Sequence, residues 1–128
     1  MTKDEEIVMY IVVNKDLKMG KGKTSAQVAH SACKASYSAS KKSNLDTYKE
    51  YWHNWFCGSY TKIVVKATQG EMQEIINDER VHREDDLRVY TTYDEGRTQI
   101  KGGSLTSLAF IPMPKNKAPE KVRKLKLL

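Results

Sequence analysis

Residues 7–30 read IVMYIVVNKDLKMGKGKTSAQVAH, and the fold turns on this stretch. Ile7–Val13 is a nearly continuous apolar run rich in β-branched side chains, the pattern of a strand covered on both faces. A polar, glycine-containing loop follows from Asn14 to Lys23. Thr24-Ser25-Ala26-Gln27 then fits a capping box, which predicts a helix starting at Thr24 with Gln27 occupied in its cap. Small residues recur at helical spacing, Ala26, Ala29 and Cys33, followed by Tyr37. That face is expected to lie close on a sheet, with Gln27, Ser31 and Lys34 on the other face.

Further along, strands and helices alternate. Leu45, Tyr48, Trp52, Trp55 and Phe56 fall at helical spacing, and Gly58 stops that second helix. The Trp52, Trp55 and Phe56 cluster reads as core, with a stacking platform for bases as the lesser alternative. Ile63–Val65 reads as a second buried strand, Glu71–Arg80 as a helix and Leu87–Tyr93 as a third strand. Asp94–Ser104 is a Gly-rich loop, Leu105–Ile111 a fourth strand closed by Pro112 and Pro114, and a basic tail follows. Strands separated by helices lie parallel, with right-handed crossovers, whereas strands joined by a loop alone pair antiparallel. The expectation is one α/β domain over residues 1–128, its first six residues flexible, with a mixed four-stranded sheet, the last strand antiparallel, and helices on both faces.

Strand direction bears on function, because ligands of such sheets sit beyond the carboxyl ends of the strands. The loop Asn14–Lys23 leaves one such end and the loop beginning at Asp94 leaves another. Lys18, Lys23, Asp94, Thr98 and Thr106 are therefore expected on one rim, and Lys62, at the start of its strand, on the opposite rim.

The charge is segregated along the chain. The net charge is +6, divided as −2 over residues 1–13, +7 over 14–66, −5 over 67–100 and +6 over 101–128. Two basic blocks around an acidic one suggest a face turned to a polyanion. No apolar run approaches the ~18 residues that span a membrane, and the acidic start lacks the basic flank and apolar core of a signal peptide. Cys33 and Cys57 lie far apart, which argues against a disulfide scaffold or zinc ribbon and makes the cytoplasm the default location.

The loop before the first helix resembles a phosphate-binding P-loop in its Gly22-Lys23-Thr24, but the motif's first glycine position is Leu17, so nucleotide binding is rejected. A simpler feature survives: helix N–H groups with Lys18, Lys21 and Lys23 beside them form an anion site. No G-x-S-x-G is present, and His30, His53 and His82 have no partner at ligand spacing. The run Asp94-Glu95-Gly96-Arg97-Thr98-Gln99-Ile100, then Gly102, Gly103 and Ser104, places an acid at a strand end ahead of hydroxyl and amide groups. Such a loop can orient water and bind a carbonyl.

Asp16-Leu17-Lys18-Met19-Gly20-Lys21-Gly22-Lys23 with Ala26-Gln27 and His30, and Asp94-x-Gly96-Arg97-Thr98-Gln99-Ile100 with Gly103-Ser104-x-Thr106, resemble the two signatures of type II peptidyl-tRNA hydrolases, the archaeal and eukaryotic kind. Lys62–Ala67 and the closing Leu125–Leu128 resemble the family as well. The resemblance implies a three-layer α/β/α sandwich and hydrolysis of the ester between a peptidyl group and the terminal ribose of tRNA, without metal or organic cofactor. By position it implies Asp94, Lys18, Lys23, Gln27, Thr98 and Thr106 as catalytic residues. Lys21, Lys34, Lys62, Arg97 and Lys101 are expected to bind the tRNA. Glu95 and Lys101-Gly102 depart from the family pattern; a tRNA-binding or protein-interaction adaptor with weak turnover is the alternative they leave. Peptidyl-tRNA is the expected partner, with no membrane, and a homodimer stays compatible with the sequence.

Overall fold

The central strand, β1 (Ile7–Asn14), is buried along all eight residues, as its unbroken apolar run demands. The computed structural model describes residues 5–41, 46–82, 87–94 and 103–128. On one side β1 pairs in parallel with β2 (Lys62–Ala67). On the other it pairs antiparallel with β4 (Leu105–Phe110), which pairs antiparallel with β3 (Val89–Tyr93), giving the order β2-β1-β4-β3. The first three strands thus share a direction and the last opposes them, as the alternation of elements predicts. The sheet also has a fifth, short strand, β5 (Met113–Pro114), so Pro114 lies within a strand instead of closing one. Ile11 faces Ala109 while Val8 faces Met113, so one extra residue sits between β4 and β5, a bulge that keeps both paired to β1.

Helix α1 (Lys21–Ser40) and helix α2 (Asp46–Phe56) connect β1 to β2, and helix α3 (Gln69–His82) connects β2 to β3. These two crossovers run in opposite directions across the sheet. Right-handed crossovers therefore place α3 on one face and the α1–α2 pair on the other. A short α4 (Glu120–Arg123) precedes the chain end. The largest fully buried side chains include Trp55, Phe110, Met9, Ile11 and Met72. Arg88 and Glu79 form a buried two-pronged ion pair, 3.0 and 2.8 Å, that ties α3 to the start of β3. The hydrogen bonds and charge of Glu79 outweigh burial there and hold the Arg88 pKa above that of an ordinary arginine.

Four expectations need correction. Helix α1 begins three residues before Thr24, with extended Gly20 as its N-cap and no side-chain cap, because the Thr24 N–H already reaches Gly20 O at 2.9 Å. The working capping box lies at α3: the Glu71 N–H donates to Thr68 Oγ1 (3.1 Å) and the Thr68 N–H donates to Glu71 Oε1 (2.9 Å). The buried face of α1 is the polar one, Gln27 and Ser31 with Ala35 and Ala39, whereas Ala26, Ala29 and Cys33 face outward and Tyr37 is 64% exposed. Hydroxyls on β3 and β4 beneath the helix supply the partners that let Gln27 and Ser31 be buried. Strand β2 is a half-exposed edge strand, and of the aromatic trio only Trp55 belongs to the core.

The basic tail, too, has a structural task. Lys66 N–H donates to Lys126 O and Leu128 N–H donates to Val64 O, both at 3.0 Å, so the chain end adds a bridge along the outer edge of β2.

Candidate active site

The loop Lys15–Gly20 leaves β1 and is held from beneath by Asn14. Its amide donates to Gln69 Oε1 (2.7 Å) and Leu105 O (2.9 Å), and its Oδ1 accepts from the Asp16 N–H (3.0 Å). One buried amide thus fixes the carboxyl end of β1 to the start of β4 and the start of α3. Lys18 takes a left-handed conformation (φ 49°) as the loop turns toward Gly20. The N–H groups of Lys21, Gly22 and Lys23 then open α1 with no side-chain cap from Gly20, at the positive end of the helix dipole.

From this first turn Lys23 reaches across to Asp94 at the end of β3, and the two form a direct ion pair whose side chains are only 8% and 3% exposed. Asp94 is itself anchored at the root of its loop: its N–H donates to Ser104 O (2.8 Å), and the Gly103 N–H donates to Asp94 O (2.7 Å). Gly103 has φ 85°, a value that suits glycine at this closure.

Beneath the pair lies a buried chain of hydroxyls. Thr106 Oγ1 is 2.7 Å from Gln27 Oε1 and 3.0 Å from Thr92 O. A hydroxyl has one proton, so both contacts are satisfied together when the Gln27 amide is turned to donate to Thr106, which then donates to Thr92. Ser31 Oγ stands 2.7 Å from both Thr92 Oγ1 and Ser107 Oγ, and Ser107 donates to Gln27 O at 2.8 Å. The network locks the second turn of α1 onto β3 and β4, which fixes where Lys23 points. Thr106 is fully buried, and its side-chain contact toward the helix is Gln27.

The other candidate residues distribute unevenly. Lys18 and Lys21 are exposed along the same loop and first turn. Lys34 donates to Thr91 O (2.9 Å) at the free edge of β3. Thr98, Arg97 and Lys101 lie outside the described residues. Lys62 pairs in register with Met9, at the opposite end of the strands from Asn14, and its ammonium lies 3.2 Å from the Tyr60 ring centroid and donates to Tyr60 O. Partial desolvation beside those rings lowers its pKa from the usual lysine range. Asn14, Ser31, Thr92 and Ser107 were not singled out as site residues in the sequence; the signal was the i, i+4 polar pair Gln27 and Ser31 on a helix otherwise lined with small residues.

The whole folded unit, from the first residue of β1 to the last residue, residues 7–128, matches the family described as Peptidyl-tRNA hydrolase PTH2. The chain belongs to that family. It is 38% identical to a peptidyl-tRNA hydrolase of Saccharolobus solfataricus over 122 residues, 95% of this chain and 99% of that protein. It is 34% identical to one of Staphylothermus marinus over 128 residues, the full length of both. As a PTH2 chain it joins the Lys23–Asp94 pair, the open helix start and the hydroxyl network within one matched region. Among the described residues no helix is long and apolar enough to cross a membrane.

Proposed function

We propose that the chain hydrolyses the ester joining a peptidyl or N-blocked aminoacyl group to the terminal ribose of tRNA, in the cytoplasm where such esters arise. The observation that carries the reading is the buried Lys23–Asp94 pair at the carboxyl rim of the sheet, beside an uncapped helix start. In the reaction, the hydroxyl of water goes to the carbonyl carbon and a proton ends on the departing ribose oxygen. Asp94 orients and polarises the water. Lys23 and the first N–H groups of α1 face the negative charge that grows on the carbonyl oxygen, a pre-set donor array that needs no rearrangement. Gln27 and Thr106 hold Lys23's turn in place, and Thr98, four residues after Asp94 in the sequence, binds the ester or the water. Exposed Lys18 and Lys21 bind phosphates of the acceptor end, and Lys34, Arg97 and Lys101 supply further charge for the tRNA. The test is release of free tRNA from an N-acetyl-aminoacyl-tRNA by the parent chain and by Asp94→Asn, with circular dichroism to confirm the fold. Release by the parent and a loss of a hundredfold or more in the variant is expected, on the order of what removing one positioned catalytic group costs. Equal rates in both would overturn the assignment.

A further inference from the structure

A groove of about 820 Å³ runs along the outward flank of α1, floored by Val64 of β2 and walled by α2, Tyr60 and the chain end. Among the described residues it is lined by apolar groups such as Val28, Ala32, Trp52, Phe56 and Leu128, with Lys62 the single charged side chain. Phe56 and Tyr60 are 47% and 45% exposed, which is costly for aromatic side chains unless something covers them. The groove's upper end is Thr24 and Ser25, in the same turn of α1 as Lys23. At about 100° per residue, Ser25, Ala29, Ala32 and Ser36 lie on the side of α1 turned away from Lys23.

We propose that this groove receives the peptidyl part of the substrate, and that it reads an apolar side chain about three residues upstream of the scissile ester. The proposal deepens the esterase reading and rests on it. Two observations select this occupant. The groove begins at Thr24 and Ser25, the residues that follow Lys23 in α1, so a chain esterified at the Lys23–Asp94 pair and laid over the uncapped start of α1 reaches it on the far side of the helix. A helix is about 10–12 Å across with its side chains and an extended residue spans about 3.3–3.6 Å, so about three residues make the crossing. Charge separates the two halves of the substrate: exposed Lys15, Lys18 and Lys21 stand at the loop, where phosphates belong, and the apolar groove is left to the uncharged chain.

The experiment compares acetyl-Phe-Gly-Gly-tRNA with acetyl-Gly-Gly-Gly-tRNA on one tRNA body. It uses the parent chain and two variants at exposed lining residues, Ala29→Glu and Phe56→Ser. The parent is expected to favour the Phe substrate in kcat/KM on the order of tenfold, as for side-chain discrimination by an apolar pocket, and the preference is expected to collapse toward unity in both variants. Equal kcat/KM for the two substrates with the parent would overturn the proposal while leaving the esterase intact. A preference that survives both variants would do the same. Variants that slow both substrates alike, with weaker inhibition by deacylated tRNA, would assign the groove to the tRNA end and overturn it. No turnover of either substrate by the parent would instead strike at the esterase reading.

Discussion

Lys23 and Asp94 have taken two opposite charges almost entirely out of water, and each offsets the cost of burying the other. Removing one partner of such a pair costs about 3–5 kcal/mol, whereas replacing both with apolar groups is often neutral. Lys23→Met and Asp94→Leu are therefore each expected to lower the melting temperature markedly. The double variant is expected to recover most of that loss yet release no tRNA from an N-acetyl-aminoacyl-tRNA. A thermal melt and the ester assay on the same three proteins check this, and recovery of activity in the double variant would remove both residues from the chemistry. Strand direction alone was enough to bring Lys23, Asp94 and Thr106 to one rim, because the ends of β1 and β3 and the start of β4 share it. Gln27 was harder to read. In sequence it completes a cap with Thr24, and only the buried hydroxyls of Thr92, Thr106 and Ser107 make the inward orientation the better-satisfied one.

At the scale of elements, the cap that does form yields a pH signature. The Thr68 N–H hydrogen bond holds the Glu71 carboxyl below the usual glutamate range. A depressed carboxyl contributes stability above its unfolded value, about 4.3, and loses it as the pH falls through the lower folded value. The melting-temperature advantage of the parent over Glu71→Gln is expected to be present at pH 7 and to shrink as the pH falls below about 4.3, read from paired melts across the acid range. The end of the chain makes a second case. Deleting Lys126–Leu128 would strip the backbone partners of Val64 and Lys66 and bare the β2 edge. Bare edges recruit other chains, so light scattering should show concentration-dependent association in the truncated protein beyond that of the parent. The sequence could not announce this element: a Lys- and Leu-containing tail carries no period of its own, and its strand character comes from the edge it covers. Likewise β2 reads as a buried strand because Ile63–Val65 are apolar, while its place at the edge depends on which strand β1 chooses as its other neighbour.

For the whole molecule, segregated charge makes binding to tRNA an ionic-strength-dependent event. Each neutralised phosphate contributes about 0.7–0.9 to the slope of log affinity against log salt. Lys21→Ala, at an exposed position beside the proposed site, is expected to reduce that slope by about one and to leave the melting temperature nearly unchanged, as filter-binding and melts at several salt concentrations would report. The order of the main strands and helices along the chain and the relative directions of β1 to β4 follow from the alternation of apolar runs with helical periods, whereas the central place of β1 comes from its pairing with both β2 and β4. The identity of the sheet-facing side of α1 did not follow from that alternation, since that helix is amphipathic in an unusual sense, polar inward and small or apolar outward. The placement of β1 carries a further consequence in time. Ile11 pairs with Val64 on one side and with Ala109 on the other. During synthesis the last of these partners appears about a hundred residues after β1, a delay on the order of 5–20 seconds at ordinary elongation rates. Until then the most apolar segment of the chain waits half-paired beside a growing end, and Thr106 arrives in the same late instalment.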